Sequence, residues 1–464
     1  MDRREFVKQA GAFTALAAAG MAVTPGCMNA QPVRKKITIA KVDANFDRQK
    51  LRRPFGFKGG FLTNNWQTAA FMETDEGIHK VGPGIQSVLW CDATTFLAHS
   101  ENGGNALMFA MTERALQMLK GQTFTDPMTL LDELLPEVLA YGKTITRNPD
   151  LRTTFALNAL VAVDNAAWLH YAEANQMKNF DEMVPETFRP GLSFRHGKVA
   201  AIPALSYGTP MEEIKQMAEQ GFFIMKIKIG APGTQEEMLE KDKEFLSAIH
   251  KTIGHFETTH TKDGKLPYYF DANGRYDSKD TLHKFLDHAE KIGALPQIAV
   301  MEEPFGERNQ EPVHDLAARG PRIAADESAH TVKESIERIE QGYNSIAVKA
   351  IAKTMSMTIK IAQECFERNI PCFCADLTVN PLLVDWNKAI AARLAPFPDM
   401  DFGLQETNGW QNYQNWEEMR TWHPMADAPW TKPVQGVYET GKEFFEKSGG
   451  IFMPSPHFEA MFQR

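Results

Sequence analysis

The chain has 464 residues, 43% hydrophobic, 10% aromatic and 23% charged, with a formal charge of −9. That length holds two domains, and the composition is that of an ordinary globular protein. With no long basic run, a nucleic acid is not expected as a partner.

The first stretch, "MDRREFVKQAGAFTALAAAGMAVTPGC", joins Arg3-Arg4 to a small-residue apolar run from Ala10 to Val23. It resembles a twin-arginine export signal over residues 1–30, with Cys27 as a lipoprotein site; a short helix inside the fold is the alternative. The expected location is therefore exported, either periplasmic or lipid-anchored at the membrane surface. Cys27 would be the only membrane contact, since no later run reaches the ~18 apolar residues a span needs. Cys91, Cys365, Cys372 and Cys374 form no C-x-x-C pair, so neither zinc nor a disulfide framework is expected.

Residues 33–195 read as an α+β domain. "ITIAKVDANF" alternates as a strand, whereas "DPMTLLDELLPEVLAYGK" and "LRTTFALNALVAVDNAAWLHYAEAN" read as amphipathic helices. Between them, "RPFGFKGGFLTNNW" (53–66) reads as a loop in which Gly59-Gly60 lets a lid close.

From 196 to 402 the rhythm changes. Short apolar runs at 199–208, 221–230, 266–274, 298–305, 322–328, 345–351 and 370–377 alternate with helical segments. Thr209-Pro210 with Glu212 reads as a capping box, and helices are expected from Ser278 to Gly293 and up to Gly342. Strand–helix alternation means parallel strands with helical crossovers, and this many units suit a closed (β/α) barrel. A doubly wound sheet is the alternative, weakened by the lack of a G-x-G-x-x-G after the first strand. Residues 403–464 are aromatic and Pro-rich and are expected to pack back on the first domain.

Charged residues end these runs in order. Lys226 and Lys228 end the second, Asp271 with Asn273 the third, Glu302-Glu303 the fourth, Asp326-Glu327 the fifth and Lys349 the sixth. In a parallel barrel such ends converge on one face. Acids from three strands meeting there call for a cation, and hard oxygen donors favour Mg²⁺, with Mn²⁺ as the alternative, over zinc.

"KIK", "DANGRY", "EEPF", "ADES" and "VK" in this order resemble the enolase superfamily, in its muconate-lactonizing subgroup. The resemblance implies a modified TIM-type barrel with an N-terminal α+β capping domain. It implies Asp271, Glu302 and Asp326 as Mg²⁺ ligands, Lys228 and Lys349 as acid/base pair, and Lys226 as contact to a substrate carboxylate. Neighbouring positive charge is expected to lower a lysine enough to act as a base. "PDMDFG", with Asp399 and Asp401, falls where the eighth strand is expected to end. It resembles the D-x-D with which dipeptide epimerases of the family hold a substrate ammonium; a polar turn is the alternative.

The function expected is a Mg²⁺-dependent racemase or epimerase that takes the α-proton of a small carboxylate, with a dipeptide favoured. A dehydratase of acid sugars or a cycloisomerase is the alternative on the same fold, and a non-catalytic exported anion-binding protein the alternative of another class. A homo-oligomer is the one macromolecular partner envisaged.

Overall fold

The computed structural model describes residues 34–57, 60–206 and 209–463. The expected export signal, Cys27 and Gly59 lie outside them.

The alternating N-terminal stretch forms a long antiparallel hairpin. Strand β1 (Ile37–Phe57) pairs with β2 (Gly60–Thr74) from Ile39↔Thr74 to Phe57↔Gly60. Strands β3 (His79–Gln86) and β4 (Thr123–Phe124) complete a sheet in the order β3-β2-β1-β4. Residues 53–66, read from sequence as a loop, are thus the far end of this hairpin: Phe55 pairs with Leu62 and Gly56 with Phe61. Helices α1 (Ala93–Leu119) and α3 (Thr153–Ala174) pack on the sheet, and α2 (Pro127–Thr146) packs against both helices. Asp126 caps α2 by accepting the Thr129 amide.

Helix α3 corrects the amphipathic reading. Almost every residue from Thr154 to Ala172 is buried, with no wet stripe. A helix apolar all round belongs in a core, and α3 lies between the sheet and the barrel. Its few polar side chains are matched individually. Asn158 and Asn165 donate to the carbonyls of Ile85 and Pro83 at 2.9 and 2.8 Å, and His170 bonds the Met72 carbonyl at 3.0 Å. Asp164 accepts from the Ser356 hydroxyl at 2.5 Å and its amide at 3.0 Å, which ties α3 to a barrel helix. Contact with β3 is backbone to backbone: a Cβ at Gly82 would stand 2.1 Å from the Ala162 carbonyl oxygen, so only glycine fits.

The second sheet is built from the seven expected apolar runs, trimmed to short strands with the first split in two, together with two strands at 403–406 and 437–439, in the segment expected to lie outside the barrel. It comprises β5 (Lys198–Ile202), β6 (Ala204–Leu205), β7 (Met225–Lys228), β8 (Tyr268–Asp271), β9 (Ile298–Glu302), β10 (Arg322–Ala325), β11 (Ser345–Val348), β12 (Cys372–Cys374), β13 (Gly403–Glu406) and β14 (Val437–Glu439). Their order is β14-β5-β13-β12-β11-β10-β9-β8-β7-β6. Only Pro203 separates β5 from β6. One segment therefore pairs in parallel with β13 on one side and β7 on the other, and the sheet curls back on itself as a barrel.

The crossover helices are α4 (Met211–Glu219), α5 (Gln235–Ile253), α6 (Lys279–Lys291), α7 (Val332–Glu340), α8 (Met355–Glu367) and α9 (Pro381–Ala391), with one turn at His314–Ala317 between β9 and β10. Ser278 and Thr331 cap α6 and α7 as expected. The capping box expected at Thr209 does not form; Pro210 is the N-cap of α4, with no side-chain cap. Strand β13 begins one residue past the boundary expected at 402, and β14 adds antiparallel to β5. Beyond it the chain reaches the first sheet, where His457 pairs with Asp47 at 2.7 Å and Met461 accepts from Asn45 at 2.9 Å. Among the described residues no helix is long and apolar enough to cross a membrane, and all four cysteines are buried and free.

Burial holds His170 down at about 4 from its ordinary 6.5. Between those values the unfolded chain takes up a proton that the folded chain refuses. Stability therefore falls as pH drops through that window, by up to about 3 kcal/mol. Asp164, pushed up by burial to about 6, acts with the opposite sign, so the comparison must be between variants. In His170→Gln the acid loss should shrink by that amount relative to the parent; chemical denaturation at pH 7 and 4.5 measures it.

Candidate active site

The C-terminal ends of the barrel strands gather acids and lysines, and each arrives from a different strand. The Lys226 ammonium on β7 lies 2.9 Å from Asp271 at the end of β8, 2.9 Å from Glu302 at the end of β9, and 3.1 Å from Glu406 at the end of β13. Lys228 reaches the same Asp271 oxygen at 2.5 Å and the Asn273 side-chain oxygen at 2.9 Å. Across the barrel, Lys349 follows β11 and lies 2.5 Å from Asp326, which follows β10. Its ammonium also stands 4.0 Å over the Trp90 ring, supplied by the first domain. Lys353 is fully buried. It donates to the carbonyls of Asp326 and Ala329 at 2.6 and 2.9 Å and pairs with an Asp326 carboxylate oxygen at 3.2 Å, fixing the loop that carries that acid.

Five carboxylates at the ends of β8 to β10, those of Asp271, Glu302, Glu303, Asp326 and Glu327, are buried almost completely. Glu302, Asp326 and Glu327 each offer an oxygen within 4.8 Å of the others. Asp271, expected as the third ligand, is not in that group; it faces Glu302 across the Lys226 ammonium that both contact. Tyr269 donates to Glu302 Oε2, the oxygen that Lys226 also meets. The Glu327 Oε2 and Glu303 Oε1 atoms, both buried, have no hydrogen-bond partner. Buried carboxylates carrying unmatched oxygens are the donor set of a hard divalent cation, and the residues fit one.

The electrostatics follow the pairing. Burial pushes Asp271 up, but Lys226 and Lys228 outweigh it and hold it at about 2. Asp326 is held well below the usual carboxylate range, because Lys349 and Lys353 outweigh its burial. Glu302 is raised well above its ordinary value by burial and then by the Asp271 charge. Burial pulls Lys349 down, yet Asp326 wins and its ammonium is held above the ordinary lysine value. That sign is opposite to the lowering expected from neighbouring lysines. The cause is the Asp326 carboxylate in direct contact with the Lys349 ammonium, which outweighs the like charge of Lys226.

Asp399 and Asp401 are not at this end. They precede β13, are exposed, and sit where β13 begins beside Val199 of β5; Asp399 accepts the Lys262 amide at 3.1 Å. The eighth strand ends instead at Glu406. Beside it, after β12, stands Asp376, whose amide donates to Glu406 Oε2 at 3.0 Å and whose Oδ2 accepts the Asn408 amide at 2.8 Å. Burial and then the Glu406 charge push Asp376 up to about 7. The strand-end rule that found the other acids points to this pair too, once the last two strands are placed. Trp90 has no such signal.

The strand order sets β7 and β8, with Lys228 and Asp271, across the barrel from β10 and β11, with Asp326 and Lys349. Lys226, Lys228, Asp271, Asp326 and Lys349 line one cavity, which Glu302 and Glu327 do not. Asp376, Glu406 and Asn408 form part of its wall, and Leu51, Phe55 and Leu62 of the β1–β2 hairpin with Leu377 give it an apolar portion.

Comparison with known proteins agrees with this geometry. Residues 210–425 match the family described as Enolase C-terminal domain-like. No protein of curated function matches by sequence. An enolase superfamily member from Listeria innocua aligns at 20% identity and TM-score 0.59, over 87% of this chain and 92% of that one. A dipeptide epimerase from Enterococcus faecalis, complexed with Mg and L-Leu-L-Tyr, aligns at 16% identity and TM-score 0.59, over 87% and 98%. A 2-chloromuconate cycloisomerase from Rhodococcus opacus aligns at 17% identity and TM-score 0.56, over 79% and 87%. On these comparisons, residues 210–425 match an Enolase C-terminal domain-like domain, and the chain shares its fold with solved members of the enolase superfamily.

Proposed function

We propose that the chain is a Mg²⁺-dependent racemase or epimerase that removes the α-proton of a small carboxylate and returns one to the opposite face. The observation that carries this reading is the placement of Lys228 and Lys349 on opposite sides of one cavity, each in contact with a buried acid. Asp271, Glu302 and Asp326, with Glu327 beside them, would hold Mg²⁺, which supplies positive charge against the second negative charge that builds on the substrate carboxylate when its proton leaves.

The chain's own residues do the rest. One lysine takes the proton and the other delivers one, so configuration inverts. Held ammonium by Asp326, Lys349 suits the role of donor once Lys228 has taken the α-proton. Trp90 covers that ammonium and keeps water from it. Lys226 has three acid partners, which fix its position near the substrate carboxylate.

A dipeptide with a free amino terminus is the substrate class we favour. Two of the similar folds are dipeptide epimerases complexed with Mg and a dipeptide, L-Leu-L-Tyr and D-Ala-L-Val. The group suited to the ammonium is the buried Asp376–Glu406 pair, in place of Asp399 and Asp401. Leu51, Phe55, Leu62 and Leu377 suit an apolar side chain. Location joins the proposal: Arg3-Arg4 and the run to Cys27 suit export.

In D₂O with Mg²⁺, the parent should wash deuterium into the α-position of such dipeptides and invert it, as followed by NMR. Lys228→Ala and Lys349→Ala should each lose about 10³-fold in turnover. Loss of water or ring closure in place of inversion would move the assignment to a dehydratase or cycloisomerase. Asp376→Asn should raise KM for dipeptides about tenfold, whereas Asp399→Asn should leave kcat and KM within about twofold, because it lies at the other end of the barrel. In cell fractionation, Arg3→Lys with Arg4→Lys should keep the chain in the cytoplasm; unchanged export would sink the signal assignment.

A further inference from the structure

Of the side chains lining the cavity that holds Lys228 and Lys349, two carry a buried oxygen with no hydrogen-bond partner among the described residues. One is Asp326 Oδ1, which the Lys353 ammonium meets at 3.2 Å. The other is Asn65 Oδ1, on a side chain only 1% exposed. A buried acceptor left unmatched is costly, and a ligand that brings a donor removes that cost.

The hydrogen bonds around Asn65 fix which of its two amide atoms is left over. A backbone amide only donates, so Asn380, which caps α9, presents Oδ1 to the Leu383 amide at 3.0 Å. Its Nδ2 then donates to Gln67 Oε1 at 2.8 Å. Gln67 is thereby turned so that Nε2 donates to the Tyr413 hydroxyl oxygen at 2.9 Å. The Tyr413 hydroxyl has one proton, and it goes to the Thr378 carbonyl at 2.5 Å, because a carbonyl only accepts. The Tyr413 oxygen can take further bonds only as an acceptor. Asn65 Nδ2 donates to it at 3.2 Å and to the same Thr378 carbonyl at 3.5 Å. Asn65 and Gln67 stand two apart on β2 and so share a face of the strand, which is how both reach one hydroxyl. Every link has a single polarity. The Asn65 amide cannot be turned over, and Oδ1 is the atom left for a ligand.

We propose that Asn65 is a substrate-binding residue whose Oδ1 accepts the peptide N–H of the substrate. The inference rests on the racemase or epimerase reading and narrows its substrate to amino acids acylated on nitrogen, dipeptides among them. Along a dipeptide the peptide N–H lies between the carboxylate, which belongs with the lysines and the cation, and the ammonium, which belongs with Asp376 and Glu406. Asn65 is tied to Thr378, two residues from Asp376, and lines the same cavity as both lysines. A neutral amide oxygen suits a neutral donor. The peptide nitrogen is bonded to the α-carbon that loses its proton, so this one hydrogen bond also holds that carbon in place between Lys228 and Lys349.

The test compares the dipeptide that exchanges its α-proton fastest in the Mg²⁺-loaded parent with its ester analogue, in which oxygen replaces the peptide N–H and the shape is kept. In the parent, kcat/KM should fall at least tenfold from amide to ester beyond the intrinsic difference in reactivity, because Asn65 Oδ1 then faces a second acceptor, a factor of about ten being the scale of one such bond. In Asn65→Leu the amide-to-ester ratio should be about tenfold smaller than in the parent, since the intrinsic difference is common to both enzymes and cancels. Asn65→Asp, which keeps an acceptor, should keep the preference for the amide. Equal ratios in the parent and Asn65→Leu overturn the inference and leave the epimerase reading standing. A parent that exchanges the α-proton of no dipeptide overturns that reading, and this inference with it. Should Asn65→Leu not fold, crystals of the parent with the dipeptide decide: a peptide nitrogen within about 3.2 Å of Asn65 Oδ1 supports the assignment, and one beyond about 4 Å overturns it.

Discussion

The structure depends on burying an excess of carboxylates at one end of a barrel. Asp271, Glu302, Glu303, Asp326, Glu327, Asp376 and Glu406 are all buried there, facing Lys226, Lys228, Lys349 and Lys353. An isolated buried carboxylate is costly enough to give up its charge, so each must find an ammonium, a proton or a metal. The parallel barrel makes the gathering possible, since each strand end contributes one or two side chains to a common floor without distorting its neighbours. Three of the non-glycine residues with left-handed φ, Asn273, Glu303 and Thr378, lie at this end.

Such a floor needs a rigid cover, and the first domain supplies one through its most buried element. Helix α3 is clasped on one face by β3 and on the other by α8, where Asp164 takes the first free amides of the barrel helix. At the start of α3, Arg152 ties the carbonyls of Trp90 and Cys91 to that of Glu327. One guanidinium thus links the ring over Lys349 to the turn beside Asp326. The hairpin above, with Leu51, Phe55 and Leu62, can vary in sequence without disturbing this clasp, because its cavity-facing part projects beyond it.

The barrel was legible because its signal is redundant: seven apolar runs alternate with helical segments, some of them stopped by a glycine. The charged residues at the run ends were legible for the same reason, since any one error in a strand boundary moves only one residue. Asp399 and Asp401 show the limit. A polar dipeptide beside an apolar run looks alike at either end of a strand, and only knowing that the run begins at Gly403 places the pair at the wrong end. Helix α3 was misread because scattered Asn, Asp and His suggest a wet face, whereas each here meets a specific buried partner. The hairpin was read as a loop because Gly59-Gly60 signals a turn while saying nothing of how long the strands on either side run.

The most instructive difference concerns Lys226 and Lys228. Period-two alternation places two ammonium groups on one face of β7, and their mutual repulsion looked like the device that tunes one of them. Instead both reach the same Oδ2 of Asp271, at 2.9 and 2.5 Å. A carboxylate between two ammonium groups turns the repulsion into a bridge, which is why Asp271 itself is held at about 2 despite complete burial. Its position therefore couples three strands: Lys226 carries the contact on to Glu302 of β9 and Glu406 of β13, and Lys228 carries it to Asn273 and, through that side chain, to Glu327. A change at Asp271 would release two lysines at once, so its effect should exceed that of any single lysine and should not equal the sum of the two, as groups sharing one partner are not additive.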